Sequence, residues 1–216
     1  MSNSTAYPIA HLDSADAVMR LVDRLIAVAG IAPASVDVRI LTDSHEAARY
    51  SSLVPEAMLV ADLSAEMAQR LPDADVVRGR NYFSLIAPAT PGLLETLRAL
   101  PAVPIEVDAD ELPADRVGVS VLTAIGAARG TVIWDLPRWP GVEELSLAGQ
   151  AKHAMIQVTL NSSDIDALTP ADGHLVYVHV GSGPAERERA AWLARQVGCV
   201  FQGPRNTDGD ARSPGP

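Results

Sequence analysis

The sequence predicts an α/β fold: a single three-layer domain with a mostly parallel, mixed central sheet and helices on both faces. Three observations lead there. Apolar runs of strand length alternate with segments of helical period, the pattern of strands joined by crossover helices. Several runs are apolar at successive positions, as strands covered on both sides are. The stretch 175–201 reads strand, glycine turn, helix, glycine, strand, the punctuation of a βαβ unit. One link, 126–130, is too short for a crossover helix, so the runs 117–125 and 131–136 are expected to pair antiparallel.

A helix over 13–29 comes first. Val18, Leu21, Val22, Leu25 and Val28 share one stripe, Asp13 or Ser14 can cap its start, and Gly30 with Pro33 ends it. Val36, Val38 and Ile40 alternate with Asp37 and Arg39, giving a strand over 36–42 with one wet face. Asp43 with Glu46 three residues on has the form of a capping box opening a short helix. The run 57–61 reads as a strand, and Ser64 caps the helix that leads toward Leu71. Tyr82, Phe83, Leu85 and Ile86 make 81–88 a strand buried on both faces. Thr90 and Pro91 open a helix whose stripe is Leu93, Leu94, Leu97 and Leu100. Ile105 and Val107 then alternate with Glu106 and Asp108 in a half-wet strand. After the pair 117–125 and 131–136 comes a loop at 137–141, then a strand over 154–160. The closing unit has a strand over 175–180, a turn at 181–183, a helix over 184–197 ended by Gly198, and a strand at 199–201.

The 216 residues suit one large domain. It is expected over 13–202, between an N-terminal extension at 1–12 and a disordered C-terminal tail at 203–216 that is rich in Gly, Pro, Asp and Arg. Seventeen Lys plus Arg against 27 Asp plus Glu give a formal charge of −10, which argues against a general grip on nucleic acid or anionic lipid. All the basic residues but Lys152 are arginine, a usage that suits a high-GC, bacterial genome. A single cysteine, Cys199, excludes an internal disulfide and a zinc site of several thiolates. The first ten residues lack a secretory signal pattern and no apolar run is of membrane-spanning length, so a cytoplasmic location is expected.

The turn Gly181, Ser182, Gly183 is the leading candidate for ligand binding. Glycines let a backbone approach closely, and a helix N-terminus offers free N–H groups to an anion. The Lys-Ser/Thr pair of a phosphate loop and the third glycine of a dinucleotide fingerprint are both missing, so a plain tight turn competes with that reading. Asp43, Ser44 and His45 end the first expected strand, where open α/β sheets gather ligands. His45 oriented by Asp43 is a candidate acid–base pair, against simple helix capping. If the first and last units are parallel neighbours, these residues and Ser182 face one crevice.

Arg78 and Arg80 flank Gly79 with two guanidinium forks that suit a carboxylate or phosphate, or that pair with Asp73, Asp75 or another subunit. His179 is a further catalytic candidate: if the strands 154–160 and 175–180 are neighbours, it forms a patch with His153, Gln157 and Tyr177. Two histidines without a carboxylate partner fall short of a metal site, and no metal ligand is assigned. Trp139, in a loop with Pro137 and Pro140, is a candidate interface anchor or pocket lid, with core packing as the competing reading. Lys152 reads as a surface lysine and Cys199 as inert. The acidic run 106–115 has Pro113 where a calcium loop wants glycine and reads as a solvated edge.

The resulting expectation is a protein that binds a small anionic metabolite at the C-terminal ends of its strands, using histidine acid–base chemistry if it is an enzyme. The alternatives are a non-catalytic interaction or self-assembly module with an acidic surface, and a histidine-based metal site. No cofactor is identifiable. The expected partners are a small molecule or a protein, a homo-oligomer included, and neither nucleic acid nor a membrane.

Overall fold

The computed structural model describes residues 4–54, 56–72, 75–183 and 185–201. The elements run β1 (Ser4–Leu12), α1 (Ala15–Ala29), β2 (Ser35–Asp43), α2 (Ala47–Ser51), β3 (Met58–Leu63), α3 (Ala65–Gln69), β4 (Val76–Arg78) and β5 (Phe83–Pro88). They continue with α4 (Pro91–Arg98), β6 (Pro104–Leu112), α5 (Val119–Ile125), β7 (Arg129–Leu136), β8 (Ala154–Ser162), β9 (Pro170–Gly181) and α6 (Glu186–Gln196).

Local signals explain most of these elements. Ser14, Ser64 and Thr90 each accept a hydrogen bond from a backbone N–H in the first turn of α1, α3 and α4, and Gly30 closes α1 in the left-handed region at φ 70°. The buried stripe of α1 is Val18, Leu21, Val22 and Leu25, each at most 1% exposed.

The sheet overturns the expected fold class. Its nine strands lie in the order β1-β9-β8-β7-β2-β6-β3-β5-β4, and every pairing is antiparallel. The physical reason is insertion between helix-linked strands. β2 and β3, β3 and β4, and β5 and β6 each run parallel to one another across their helical connections, but another strand running the opposite way (β6, β5 and β3 respectively) lies between them and takes the hydrogen bonds. Alternation of strands and helices along the chain therefore does not become alternation in space.

The third layer is missing too. Residues directly opposite in register share a face, and on one face Val38, Val132, Val158 and Val176 form a row across four strands. These residues, Val107 and Leu59 belong to one buried cluster with the apolar stripes of all six helices. Among the described residues the fold is thus two layers, an antiparallel sheet with its helices on one face and no helix on the other. Among the described residues no helix is long and apolar enough to cross a membrane.

Four further expectations change. The strand at 81–88 is not buried on both faces: β5 alternates, with Leu85 and Ala87 buried and Ile86 48% exposed. Residues 117–125 are not a strand: α5 presents Leu122 and Ile125 three residues apart and packs on α1, so the expected hairpin does not form. Tertiary contact here outweighs the β-branched composition. Residues 199–201 are not a strand either. The Cys199 N–H donates to the Ala194 carbonyl at 2.8 Å in the C-terminal wrap of α6, and Phe201 packs its ring on Tyr7. Ser4–Leu12, read from sequence as an extension, is an edge strand on β9. The tail at 203–216 lies outside the described residues.

Candidate functional site

The antiparallel registers decide the fate of the expected crevice. Asp37 aligns with Ile133, Gln157 and Tyr177 across β7, β8 and β9. From that row β2 runs on to Asp43, while β9 runs the opposite way to Gly181. The two turns are three strands apart and at opposite ends of the sheet. Arg78 lies in β4 at the far edge, with Arg80 in the turn after it, seven strands from β9. At roughly 4.8 Å per strand that is about 34 Å. No common site gathers these residues.

Most have local work instead. At the glycine turn, Glu186 in the first turn of α6 occupies the position an anion would take. Its Oε2 accepts from the Gly183 N–H at 3.3 Å and from Thr5 Oγ1 at 3.2 Å, and its Oε1 accepts from Tyr7 Oη at 2.9 Å. Burial, reinforced by the hydrogen bond and charge of Glu186, pushes the Tyr7 phenol up to about 12. Ser182 is exposed beside this turn. At the other end of the sheet, Asp43 Oδ1 accepts from the backbone N–H of His45 at 2.8 Å and of Glu46 at 3.1 Å, closing the turn that precedes α2, whose own N-cap, Glu46, makes no side-chain capping bond. Buried Ser44 exchanges hydrogen bonds with Val103, and His45 Nε2 donates to the Leu100 carbonyl at 3.1 Å, tying β2 to the approach to β6. Arg78 donates to the Ala68 carbonyl and lies over the Phe83 ring.

Trp139 is fully buried, and its indole Nε1 donates to the His179 carbonyl at 2.7 Å, so its ring is not at the surface to anchor a partner. The loop around it is strapped to α6. Buried Arg189 donates to the carbonyls of Pro140 and Ala148, and Trp192 Nε1 donates to Glu144 at 2.6 Å.

β8 and β9 do pair, and the Gln157–His179 part of the expected patch is in contact. Gln157 Nε2 donates to the Ile165 carbonyl at 2.6 Å, which turns its Oε1 toward His179 Nε2, 2.8 Å away. That ring nitrogen therefore carries the proton. Burial, with His153 adding to it, lowers the His179 pKa to about 4, so the imidazole is neutral near pH 7. The patch is roofed: residues 163–169 fold over the helix-free face and leave Gln157 5% and Thr159 0% exposed. Burial pushes the Asp164 carboxyl up, but hydrogen bonds from Thr169 and from the Leu168 and Asp166 N–H groups outweigh it and hold the pKa low. Asp164 thus knots this loop in place. Among the described residues no group of three or more His, Cys, Asp or Glu is placed to hold a metal ion.

The feature the sequence reading missed lies on the same face. β3 and β6 pair only through Met58–Val60 and then part, because β6 begins at Pro104, which has no N–H to offer a neighbour. The parting opens a cleft of about 820 Å³. Leu41, Val60, Ala61 and Ile105 give it an apolar floor, Leu168 and Arg129 stand on one side and Asp62 on the other. Asp43 and Glu106 also line it. Arg129 is occupied, donating to the carbonyls of Ala167 and Leu168, and Leu168 is left 66% exposed at the rim. A smaller cavity of about 180 Å³ lies further along the face, lined by Asp37, Arg39, Asp108, Asp110, Ile133 and Asp166 among others. Burial, then the charge of Asp110, raises the Asp108 pKa, while Arg39 opposes the shift by pairing with Asp108 and Glu106. The sequence signal for this region was Pro101 and Pro104 at the start of a strand, which alone does not say which neighbour is lost.

No protein-family model, no curated protein and no solved structure matches this chain.

Proposed function

We propose that this chain is a binding protein whose site is the cleft between β3 and β6, taking a ligand with an apolar body and a positively charged group. The observation that carries the reading is the parting of the sheet itself. A cleft of about 820 Å³ falls within the roughly 300–1,000 Å³ of small-molecule and side-chain sites. Its lining supports the sign of the charge: among the described residues Asp43 and Asp62 bring carboxylates with no ion-pair partner, Glu106 is paired with Arg39, and the one guanidinium of the lining, Arg129, is turned to the Ala167 and Leu168 carbonyls. The loop that holds Leu168 at the rim is tied by Asp164, so an apolar contact stands ready without ordering cost. The expected anionic ligand is replaced by a cationic one, since the glycine turn is filled by Glu186.

Thermal denaturation with hexylamine and benzylamine, against hexanoate and benzoate, tests this. A ligand at ten times its Kd stabilises the folded state by about 1.4 kcal/mol. Both amines are expected to raise the midpoint and both carboxylates to leave it unchanged. Val60→Trp, which fills the cleft from a half-buried position outside the core, is expected to abolish the amine response. Equal responses to amines and carboxylates, or an amine response that survives Val60→Trp, would overturn the reading.

A further inference from the structure

Resting on that reading, we infer that the natural occupant is an extended segment of a partner protein carrying two basic side chains four residues apart, laid along the helix-free face over both cavities. Leu41, Thr42 and Asp43 line the first cavity and Asp37, Val38 and Arg39 the second, so their centres are four residues apart along β2. At about 3.3 Å per residue this is roughly 13 Å, the separation of side chains i and i+4 of an extended peptide, which point the same way.

The charges fit that spacing. Asp43 and Asp62 lie at the first cavity, and Asp37, Asp110 and Asp166 at the second. None of the five has an ion-pair partner among the described residues. Arg39, in the lining of the second cavity, is neutralised by Glu106 and Asp108, so it does not repel a basic side chain there. An α,ω-diamine of equal length matches the charges but leaves most of an 820 Å³ cleft unfilled. It also offers little to Leu168, 66% exposed at the rim of the first cavity. An apolar residue between the two basic ones meets that surface.

The probe is a fluorescein-labelled heptapeptide, Gly-Lys-Ser-Leu-Ser-Lys-Gly, compared by anisotropy with the isomer Gly-Leu-Ser-Lys-Lys-Ser-Gly. The first is expected to bind at least tenfold more tightly, and salt is expected to weaken it. Val60→Trp is expected to abolish binding of both the peptide and hexylamine. Asp110→Lys with Asp166→Lys, both at exposed positions, should weaken the peptide tenfold or more and leave hexylamine untouched. Equal affinity for the isomers, or no effect of the double substitution while hexylamine still binds, would overturn the two-cavity segment and leave the cleft standing. Displacement of the peptide by 1,8-diaminooctane at equal affinity would make the occupant a small dication. Loss of both peptide and hexylamine binding in the unaltered protein would sink the underlying reading instead.

Discussion

Gln157 shows how a single side chain sets the chemistry of its neighbour. Its amide is held by the Ile165 carbonyl, which fixes the tautomer of His179, and burial keeps that ring neutral down to about pH 4. The unfolded chain binds this proton near pH 6.5, so the stabilising contribution is complete above that pH and drains away as pH falls toward 4. The loss is of order 3 kcal/mol at 1.36 kcal/mol per pKa unit. Urea midpoints measured from pH 7 to 4 are expected to fall more steeply for the unaltered protein than for His179→Gln; parallel curves would contradict the assignment. Gly130 belongs to this scale as well. A Cβ there would collide with the Arg39 carbonyl oxygen and sit 3.2 Å from the Ile40 Cα, both backbone atoms of the adjacent strand β2. Gly130→Ala is expected to cost about 2 kcal/mol, and a variant as stable as the parent in chemical denaturation would rule that clash out. Neither effect was legible in the sequence, where His179 was one candidate base and Gly130 one loop glycine.

At the scale of elements, the caps and stripes of α1, α3 and α4 could be read directly because they depend on residues a few positions apart. The 117–125 segment could not, since its apolar residues suit a strand as well as a helix and only contact with α1 chooses between them. The start of α6 is where the ligand reading gave way. Glu186 holds the Gly183 N–H, Thr5 and Tyr7 together, joining the turn to β1. Glu186→Ala is expected to cost about 2 kcal/mol, the scale of hydrogen bonds to a charged group. Glu186→Gln is expected to bring the Tyr7 phenol down from about 12 while burial keeps it above 10, as read by ultraviolet pH titration. A titration unchanged by the substitution would remove Glu186 from that account.

Across the whole molecule, stability follows position in the sheet. The central strands β2 and β7 pair on both sides, whereas β4 contributes three residues at one edge. Amide hydrogens of β2, β7 and β8 are expected to exchange only through global unfolding, and those of β4 and β5 through local opening. Exchange that protects β4 as well as β2 would contradict this. The division of the sheet beyond Met58–Val60 is also a property of the whole, because it needs two strands separated by some forty residues to approach and then diverge.

What the sequence determined alone were quantities carried by neighbours along the chain: the apolar period of α1, the alternation in β2 and β6, the capping residues, and an acidic surface of net charge −10. The tertiary structure alone decided strand order and direction, the helix-free face, and the cleft between β3 and β6. The reason is that a strand's side-chain pattern is satisfied by any neighbour that buries the same face. Which neighbour it takes, and in which direction, follows from the packing of segments far apart in sequence, as β6 inserts between β2 and β3.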